Sequence, residues 1–109
     1  AAGLPVRYPE GHPALQCVER ARTVRADAGS VSAERARAWA LERQWPGDAV
    51  HALCAVLRSR GRTLGVVTFL RASGRSRFTR SDTAYAEDVA TRIATALDLA
   101  EAVRERPEE

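Results

Sequence analysis

Two histidines and two cysteines are the side chains with the most obvious chemistry. His51 and Cys54 stand three positions apart in an apolar run, and His12 precedes Cys17 by five positions. A Cys–His nucleophilic pair needs the two side chains in contact, whereas residues three apart in a β-strand point to opposite faces. Zinc sites use closely spaced ligand pairs, which these four positions do not supply. The sequence therefore predicts no catalytic residue, no enzymatic activity of the chain itself and no metal site, and treats the cysteines as small buried apolar residues.

Arginine supplies all 17 positive charges of the 109-residue chain, which also holds 14 acidic residues. Segment 49–81 contains seven arginines and no acidic residue, whereas 82–109 contains three arginines and eight acidic residues. We expect these two segments to attract each other, within one chain or between chains. The candidate anion patch consists of Arg58, Arg60 and Arg62, with Arg71, Arg75 and Arg77 following them. Because neither interleaved aromatic residues nor a recognition helix accompanies the patch, nucleic acid and other polyanions are the least favoured partners.

The clearest predicted element is a long C-terminal helix. Thr79 to Asp82 has the form of an N-terminal capping box, and no glycine or proline follows until Pro107. Apolar residues recur along it at alternating intervals of three and four, which is typical of a coiled-coil seam. We expect these residues to pair two copies of the chain as a homodimer, or only to cover a sheet. The predicted dimer seam comprises Val89, Ile93, Ala96, Ala100 and Val103.

A β-hairpin precedes this helix. Residues 49–57 form an apolar run interrupted only by His51, and residues 63–70 are rich in strand-forming types. Between them lies a turn over 58–62, in which Gly61 supplies the positive φ that a tight turn requires. The sequence therefore predicts two antiparallel strands, followed by a loop over 72–77.

The first half of the chain contains shorter elements. The sequence predicts a strand over 4–8, a helix over 12–21, a strand over 23–27 and a helix over 32–44. This order predicts an α+β fold with an antiparallel sheet, the long helix on one face and the two short helices on the other.

The hairpin and the long helix together resemble part of a known family. Segment 60–69 is Arg-Gly-Arg-Thr-Leu-Gly-Val-Val-Thr-Phe, then come Arg77-Phe78-Thr79, Asp82 and an alanine-rich helix. This pattern resembles the end of a GAF domain, over roughly 49–106. The most similar GAF domains are those of regulators from GC-rich actinobacteria, where they precede a metal-dependent serine/threonine phosphatase domain or sometimes a histidine kinase. The absence of lysine and asparagine fits a GC-rich genome.

The resemblance implies a GAF/PAS-like antiparallel sheet with a long C-terminal helix on one face and a ligand pocket on the other. It also implies that 1–109 is a single domain without the N-terminal helix and the first strand or strands of a complete GAF domain. The expected function is a sensory or regulatory module of a larger signalling protein, which controls a phosphatase output by small-molecule binding or by dimer rearrangement. The alternative is a ligand-free structural dimerisation module.

The sequence leaves the identity of any ligand open. The pocket residues implied by the resemblance are His51, Trp39 and Trp45. The alternative for the tryptophans is packing in the core, and for His51 a hydrogen-bonded position in the core or at a strand edge. We expect no cofactor; haem bound by His51 is the minor alternative, and the motifs for cyclic nucleotides and bilins are absent. No apolar run approaches the roughly 18 residues of a membrane span, and no signal sequence opens the chain, so we expect a cytoplasmic protein.

Overall fold

A computed structural model describes residue 8 and residues 10–104, which contain three helices and three strands. The predicted strand over 4–8 lies outside these residues except for Tyr8, which belongs to no strand. Every other predicted helix and strand is present, with ends that differ by a few residues. The elements are α1 (Pro13–Arg20), β1 (Val24–Asp27), α2 (Ala33–Glu42), β2 (Ala49–Ser59), β3 (Arg62–Ala72) and α3 (Arg80–Arg104).

The three strands form one antiparallel sheet in the order β1-β2-β3. Strand β2 is central, so that Leu53 has Arg25 as its neighbour on β1 and Phe69 on β3. The β2–β3 register shifts near the two ends of β2 and is regular between them. The regular part fixes which residues face each side of the sheet, because alternate residues of a strand point to opposite faces.

The hairpin turn is shorter than the sequence predicted. Both strands continue into the expected five-residue turn, which leaves only Arg60 and Gly61 between Ser59 and Arg62. Both turn residues have positive φ, 52° at Arg60 and 76° at Gly61. This is the backbone of the two-residue turns whose twist matches that of the flanking strands. An arginine in the left-handed region is strained, and hydrogen bonds from its side chain to α3 hold it there.

Two apolar clusters lie on opposite faces of the sheet. One joins α1 and α2 to the sheet, and the other joins α3 and Phe78 to it. The prediction of short helices on one face and the long helix on the other, within an α+β fold, is therefore confirmed. The buried residues of the first cluster are Ala14, Cys17, Ala40, Trp45, Ala49, Ala52 and Cys54. Those of the second are Leu53, Ala55, Leu57, Phe78, Ala86, Ala90 and Ala94.

Helix α3 begins with the predicted capping box. The Thr79 backbone N–H donates to the Asp82 carboxylate at 2.7 Å, and the Asp82 N–H donates to the Thr79 hydroxyl at 3.3 Å. The helix then lies along β2 with a stripe of residues spaced by four, which differs from the alternating three-four seam. The buried stripe consists of Ala86, Ala90, Ala94 and Asp98. Small side chains at this spacing let the helix approach the sheet closely.

Candidate functional site at one end of the sheet

An open cleft of about 610 Å³ lies at the end of the sheet where β1 finishes and β2 begins. The turn after β1, the first turn of α2 and the loop after β3 form its other walls. Its polar side chains come from Asp27, Ser30, Asp48, His51, Ser73 and Arg77, and its apolar ones from Val31, Ala33, Ala36 and Val50. Two carboxylates, a guanidinium and an imidazole on a partly apolar wall suit a small polar ligand.

His51 is held in this cleft by both of its ring nitrogens. Its Nδ1 lies 2.6 Å from Oδ1 of Asp27, and its Nε2 lies 3.1 Å from the carbonyl oxygen of Arg75. Both partner atoms are oxygens that accept hydrogen bonds, so a proton on either ring nitrogen has an acceptor in place. His51 thereby joins the end of β1 to the loop after β3.

Strand register and loop geometry bring these three groups together. Asp27 is the direct neighbour of His51 across the β1–β2 pair. The loop after β3 turns back over β2, and the Arg75 N–H donates to the Ala72 carbonyl at 3.2 Å. Gly74 has a φ of 91°, which is a conformation that glycine adopts without strain. No sequence signal pointed to this cluster, because the β1–β2 register cannot be derived from two short strands.

The two tryptophans lie in the core on the α1–α2 side of the sheet and do not line the cleft. Trp45 is buried, with its ring 5.5 Å from that of Trp39 and 5.4 Å from that of His12. His12 caps α1: its Nδ1 accepts from the Ala14 N–H, and its Nε2 faces the Arg43 carbonyl at 3.0 Å. Of the three predicted pocket residues, the structure therefore places only His51 in the cleft, and a ligand role of the tryptophans stays a prediction.

The predicted anion patch divides between the two ends of β3. The hairpin tip carries Arg58, Arg60 and Arg62, whereas Arg71 and the arginines after it lie at the opposite end of β3. Arg62 and Arg71 are nine residues apart along this strand, which is a distance of about 30 Å. At the tip, Asp98 of α3 binds two arginines. Arg60 donates to both carboxylate oxygens at 2.7 Å, and Arg62 donates to one of them at 2.9 Å.

The tip is one place where the basic segment and the acidic segment meet within one chain, and the pair of Arg71 with Asp82 is another. The side chains of Arg60 and Arg62 are largely exposed, but Asp98 is only 4% exposed. Hydrogen bonds from Arg60 above all, and the positive charges beside the carboxylate, hold the pKa of Asp98 well below its usual range. The expected attraction is confirmed in its intramolecular form, although the sequence did not single out Asp98.

The residues of the predicted dimer seam occupy the flank of α3 beside the buried stripe. Val89 and Ile93 are half-buried, with Ile93 packed against the cluster between α3 and the sheet, whereas Ala96, Ala100 and Val103 are exposed. Tyr85 is 69% exposed and continues the same flank towards the start of the helix. Pairing across this seam stays a prediction.

The two cysteines are fully buried on the α1–α2 side of the sheet. The Cys17 thiol donates to the Cys54 carbonyl at 3.3 Å. Burial, followed by the proximity of Cys54, raises the pKa of Cys17 to about 11, and burial also raises the pKa of Cys54. Both thiols therefore stay protonated and serve as packing residues.

Residue 8 and residues 10–104 contain no group of three or more potential metal ligands. Both ring nitrogens of His51 face protein acceptors, so ligation of haem iron would break one of these contacts; haem at His51 stays the minor alternative prediction. None of the helices in the described part of the chain is both long enough and apolar enough to cross a membrane.

Among families of known proteins, one matches most of the chain. A family model described as "GAF domain" matches residues 10–99, a range that includes all three strands. No curated protein and no solved structure matches the chain at a significant level.

Proposed function

Since the chain belongs to the GAF domain family, we propose that it binds a small polar molecule in the cleft and passes the resulting change to α3. GAF domains are regulatory rather than catalytic, so the chain is a sensory or regulatory module and not itself an enzyme. The charged and polar side chains of the cleft would recognise the molecule, and α3 is a rigid element that moves as one body.

One observation carries this proposal: the segment that forms a wall of the cleft leads directly into α3. Ser73, Gly74 and Arg77 line the cleft, and Phe78 and the capping box follow at once. The Phe78 side chain is buried against α3, and its carbonyl accepts from Arg25 of β1 at 3.3 Å. A change in the wall is therefore passed along few bonds to the first turn of the helix.

Arg71 supplies a second link between the cleft wall and the helix. Its guanidinium donates to the Ser76 carbonyl at 3.2 Å and to the Asp82 carboxylate at 3.3 Å, and it lies over the Phe78 ring. A ligand that engages Asp27 or displaces the loop from His51 alters the position of these groups. Such a ligand favours one of two arrangements of α3 by its differential affinity for them.

The proposal extends to a larger cytoplasmic protein of which this module is a part. The output domain that we expect is a metal-dependent serine/threonine phosphatase of the kind found in actinobacterial regulators, with a histidine kinase as the other candidate. The exposed flank of α3 supports a homodimer in which two such helices pair and report their relative position to the output domains.

The competing function is a structural dimerisation module whose cleft binds nothing. The apolar flank of α3 serves that function equally well, so the two functions differ only in the cleft. Binding of polyanions gains less support, because Asp98 already engages two of the three arginines at the hairpin tip.

Thermal unfolding in the presence of a panel of nucleotides, amino acids and organic acids tests the proposal. A compound present at 100 times its Kd stabilises the domain by about 2.7 kcal/mol, which is a readily measured rise in Tm. We expect one compound class to raise Tm and to shift the amide resonances of Thr79 and Asp82. The absence of any stabilising compound, together with a stable dimer, would establish the structural module instead.

A matched pair of variants on α2 locates the binding site. Ala36 lines the cleft, whereas Ala38, on the same helix, is exposed and does not line it. Ala36→Trp fills the cleft and is expected to abolish the rise in Tm, while Ala38→Trp retains it. A compound that stabilises both variants equally binds elsewhere.

A further inference from the structure

Two oppositely charged side chains line the cleft at the end of the sheet without pairing with each other. Asp48 lies just before β2, and Arg77 lies in the loop after β3. Among the residues that the structure describes, neither the Asp48 carboxylate nor the Arg77 guanidinium has a hydrogen-bond or ion-pair partner. A ligand that carries both an ammonium and a carboxylate would engage the two side chains at once.

Asp27 contributes a second carboxylate to the cleft. Its Oδ1 contacts Nδ1 of His51 at 2.6 Å, whereas its Oδ2 has no hydrogen-bond partner in the described part of the chain. The cleft thus presents two carboxylates and one guanidinium to a ligand. Two carboxylates repel a ligand that is only anionic, and the guanidinium repels one that is only cationic. This charge pattern favours a zwitterion.

Backbone hydrogen bonds hold the walls of the cleft in position before a ligand binds. The Ser73 N–H donates to the Asp48 carbonyl at 3.3 Å, which attaches the start of β2 to the loop that carries Arg77. The Ala28 N–H donates to the Val50 carbonyl at 2.9 Å, which attaches the turn after β1 to the same strand. A site whose walls are already ordered loses less conformational entropy when a ligand binds.

The cleft also exposes apolar surface beside its charged groups. Its apolar residues are Val31, Val50 and two alanines of α2, and Val31 is 44% exposed. A ligand that covers this surface removes it from water, which favours binding. The volume of about 610 Å³ leaves room for a side chain next to the charged groups. The wall therefore favours a ligand with an apolar side chain.

We propose that the cleft binds a free α-amino acid with an apolar side chain. Its ammonium binds the carboxylates of Asp48 and Asp27, and its carboxylate binds the guanidinium of Arg77. Its side chain covers Val31. This assignment rests on the proposed function, because it names the ligand class of the same cleft. Arg77 directly precedes Phe78, which packs against α3, so the bound carboxylate acts on the segment that leads into the helix.

Calorimetric titration of the 109-residue protein with valine and two analogues tests the charge pattern. Isobutylamine keeps the ammonium but lacks the carboxylate, and the hydroxy acid of valine keeps the carboxylate but lacks the ammonium. Valine is expected to bind at least about tenfold more tightly than either analogue, since each analogue loses a charge-assisted contact. Glycine, which lacks the side chain, is expected to bind more weakly than valine. An analogue or glycine that binds as tightly as valine would overturn the proposal.

Variants that remove one charge at a time assign each end of the ligand. Asp48→Asn is expected to weaken valine binding at least about fivefold and to leave binding of the hydroxy acid no weaker. Arg77→Gln is expected to weaken binding of both by a similar factor. The matched controls are Glu34→Gln and Arg80→Gln, which remove the same charges from exposed residues that do not line the cleft. Equal losses in a cleft variant and its control would show only long-range electrostatic attraction and refute the assignment.

Thermal unfolding separates the failure of this assignment from the failure of the proposed function. Valine that raises the Tm of the parent and of Ala38→Trp, but not of Ala36→Trp, supports both. Suppose that none of valine, leucine and phenylalanine binds, while another compound raises the Tm of the parent and not of Ala36→Trp. The cleft then binds a ligand of another class, and only the amino-acid assignment fails. If no compound of the panel raises Tm, both fail.

Discussion

Arg60 binds Asp98 through two parallel hydrogen bonds of 2.7 Å, although 38 positions separate the two residues in the chain. This pair attaches the tip of the β2–β3 hairpin to α3, far from the point where the helix begins. Since Arg60 also adopts a left-handed backbone conformation, the ion pair and the tight turn depend on each other. The hairpin and the helix therefore form one body that is fixed at both ends.

Asp98→Asn is expected to lower the Tm by several degrees, because it removes the negative charge that three hydrogen bonds share and leaves two arginines facing each other. The control is Asp88→Asn, which removes an exposed pair with Arg92 at 3.1 Å. Exposed pairs within a helix contribute little, so the control is expected to stay close to the parent. Thermal unfolding at pH 7 compares the three proteins. Equal Tm values for the two variants would contradict a stabilising role of Asp98.

The same carboxylate predicts how stability depends on pH. The pKa of Asp98 is lowered in the folded state, and that of Asp82 is lowered too, chiefly by the Thr79 backbone N–H. The folded state thus binds fewer protons, and the stabilisation is complete above the usual value of 3.8 and is lost as pH falls below it towards the lowered values. Urea unfolding between pH 7 and pH 2 is expected to show a weaker acid dependence for Asp98→Asn than for the parent. Parallel pH profiles would refute this assignment.

Leu53 is the largest fully buried side chain and lies at the centre of β2. Leu53→Ala is expected to lower the free energy of unfolding by about 2–5 kcal/mol, because the small core cannot close the cavity. Leu99 on α3 is 65% exposed, and Leu99→Ala is expected to change the free energy of unfolding by less than about 0.5 kcal/mol. Chemical denaturation measures both. A larger cost at Leu99 would indicate that its flank of α3 is covered in solution.

The two thiols are expected to resist modification in the folded protein. A pKa of about 11 at Cys17 leaves few thiolates at pH 8, and burial blocks access as well. Reaction with an aromatic disulfide reagent is expected to be at least about a hundredfold slower than in urea-unfolded protein. Rapid native labelling of either cysteine would show that the α1–α2 side opens readily.

Pairing of α3 across a dimer has a direct test in cysteine cross-linking. Ala100 belongs to the predicted seam, and Ala102 lies almost on the opposite side of the same helix turn; both are exposed. Ala100→Cys is expected to form an intermolecular disulfide under mild oxidation, whereas Ala102→Cys is not. Equal cross-linking of the two, or none, would contradict the seam.

Local signals predicted the elements well. The Thr79–Asp82 capping box and Gly61 in the turn each act through near neighbours, and each lies where the sequence placed it. Residue spacing also separated the two faces of the sheet correctly, because strand alternation and helix order leave few ways to pack three helices on three strands.

Contacts between residues far apart in the sequence could not be predicted in the same way. The meeting of Asp27 with His51 depends on strand register, which a four-residue strand does not fix. The burial of Asp98 depends on how far the hairpin extends along α3. From the sequence alone, Asp98 is one of several acidic residues on a helix whose charged residues are expected to face solvent. Likewise, the alternating three-four spacing along α3 predicted an apolar seam, whereas the residues that pack on the sheet are the buried stripe spaced by four.

The ion pair at Asp98 also determines how much of α3 extends beyond its contact with the hairpin. All six described residues beyond it, 99–104, are exposed, so about 9 Å of helix extends past its last attachment. A small rotation of the hairpin tip becomes a larger sideways displacement at Arg104, the last described residue of this overhang. A partner that contacts residues 99–104 would therefore be displaced farther than the hairpin tip itself.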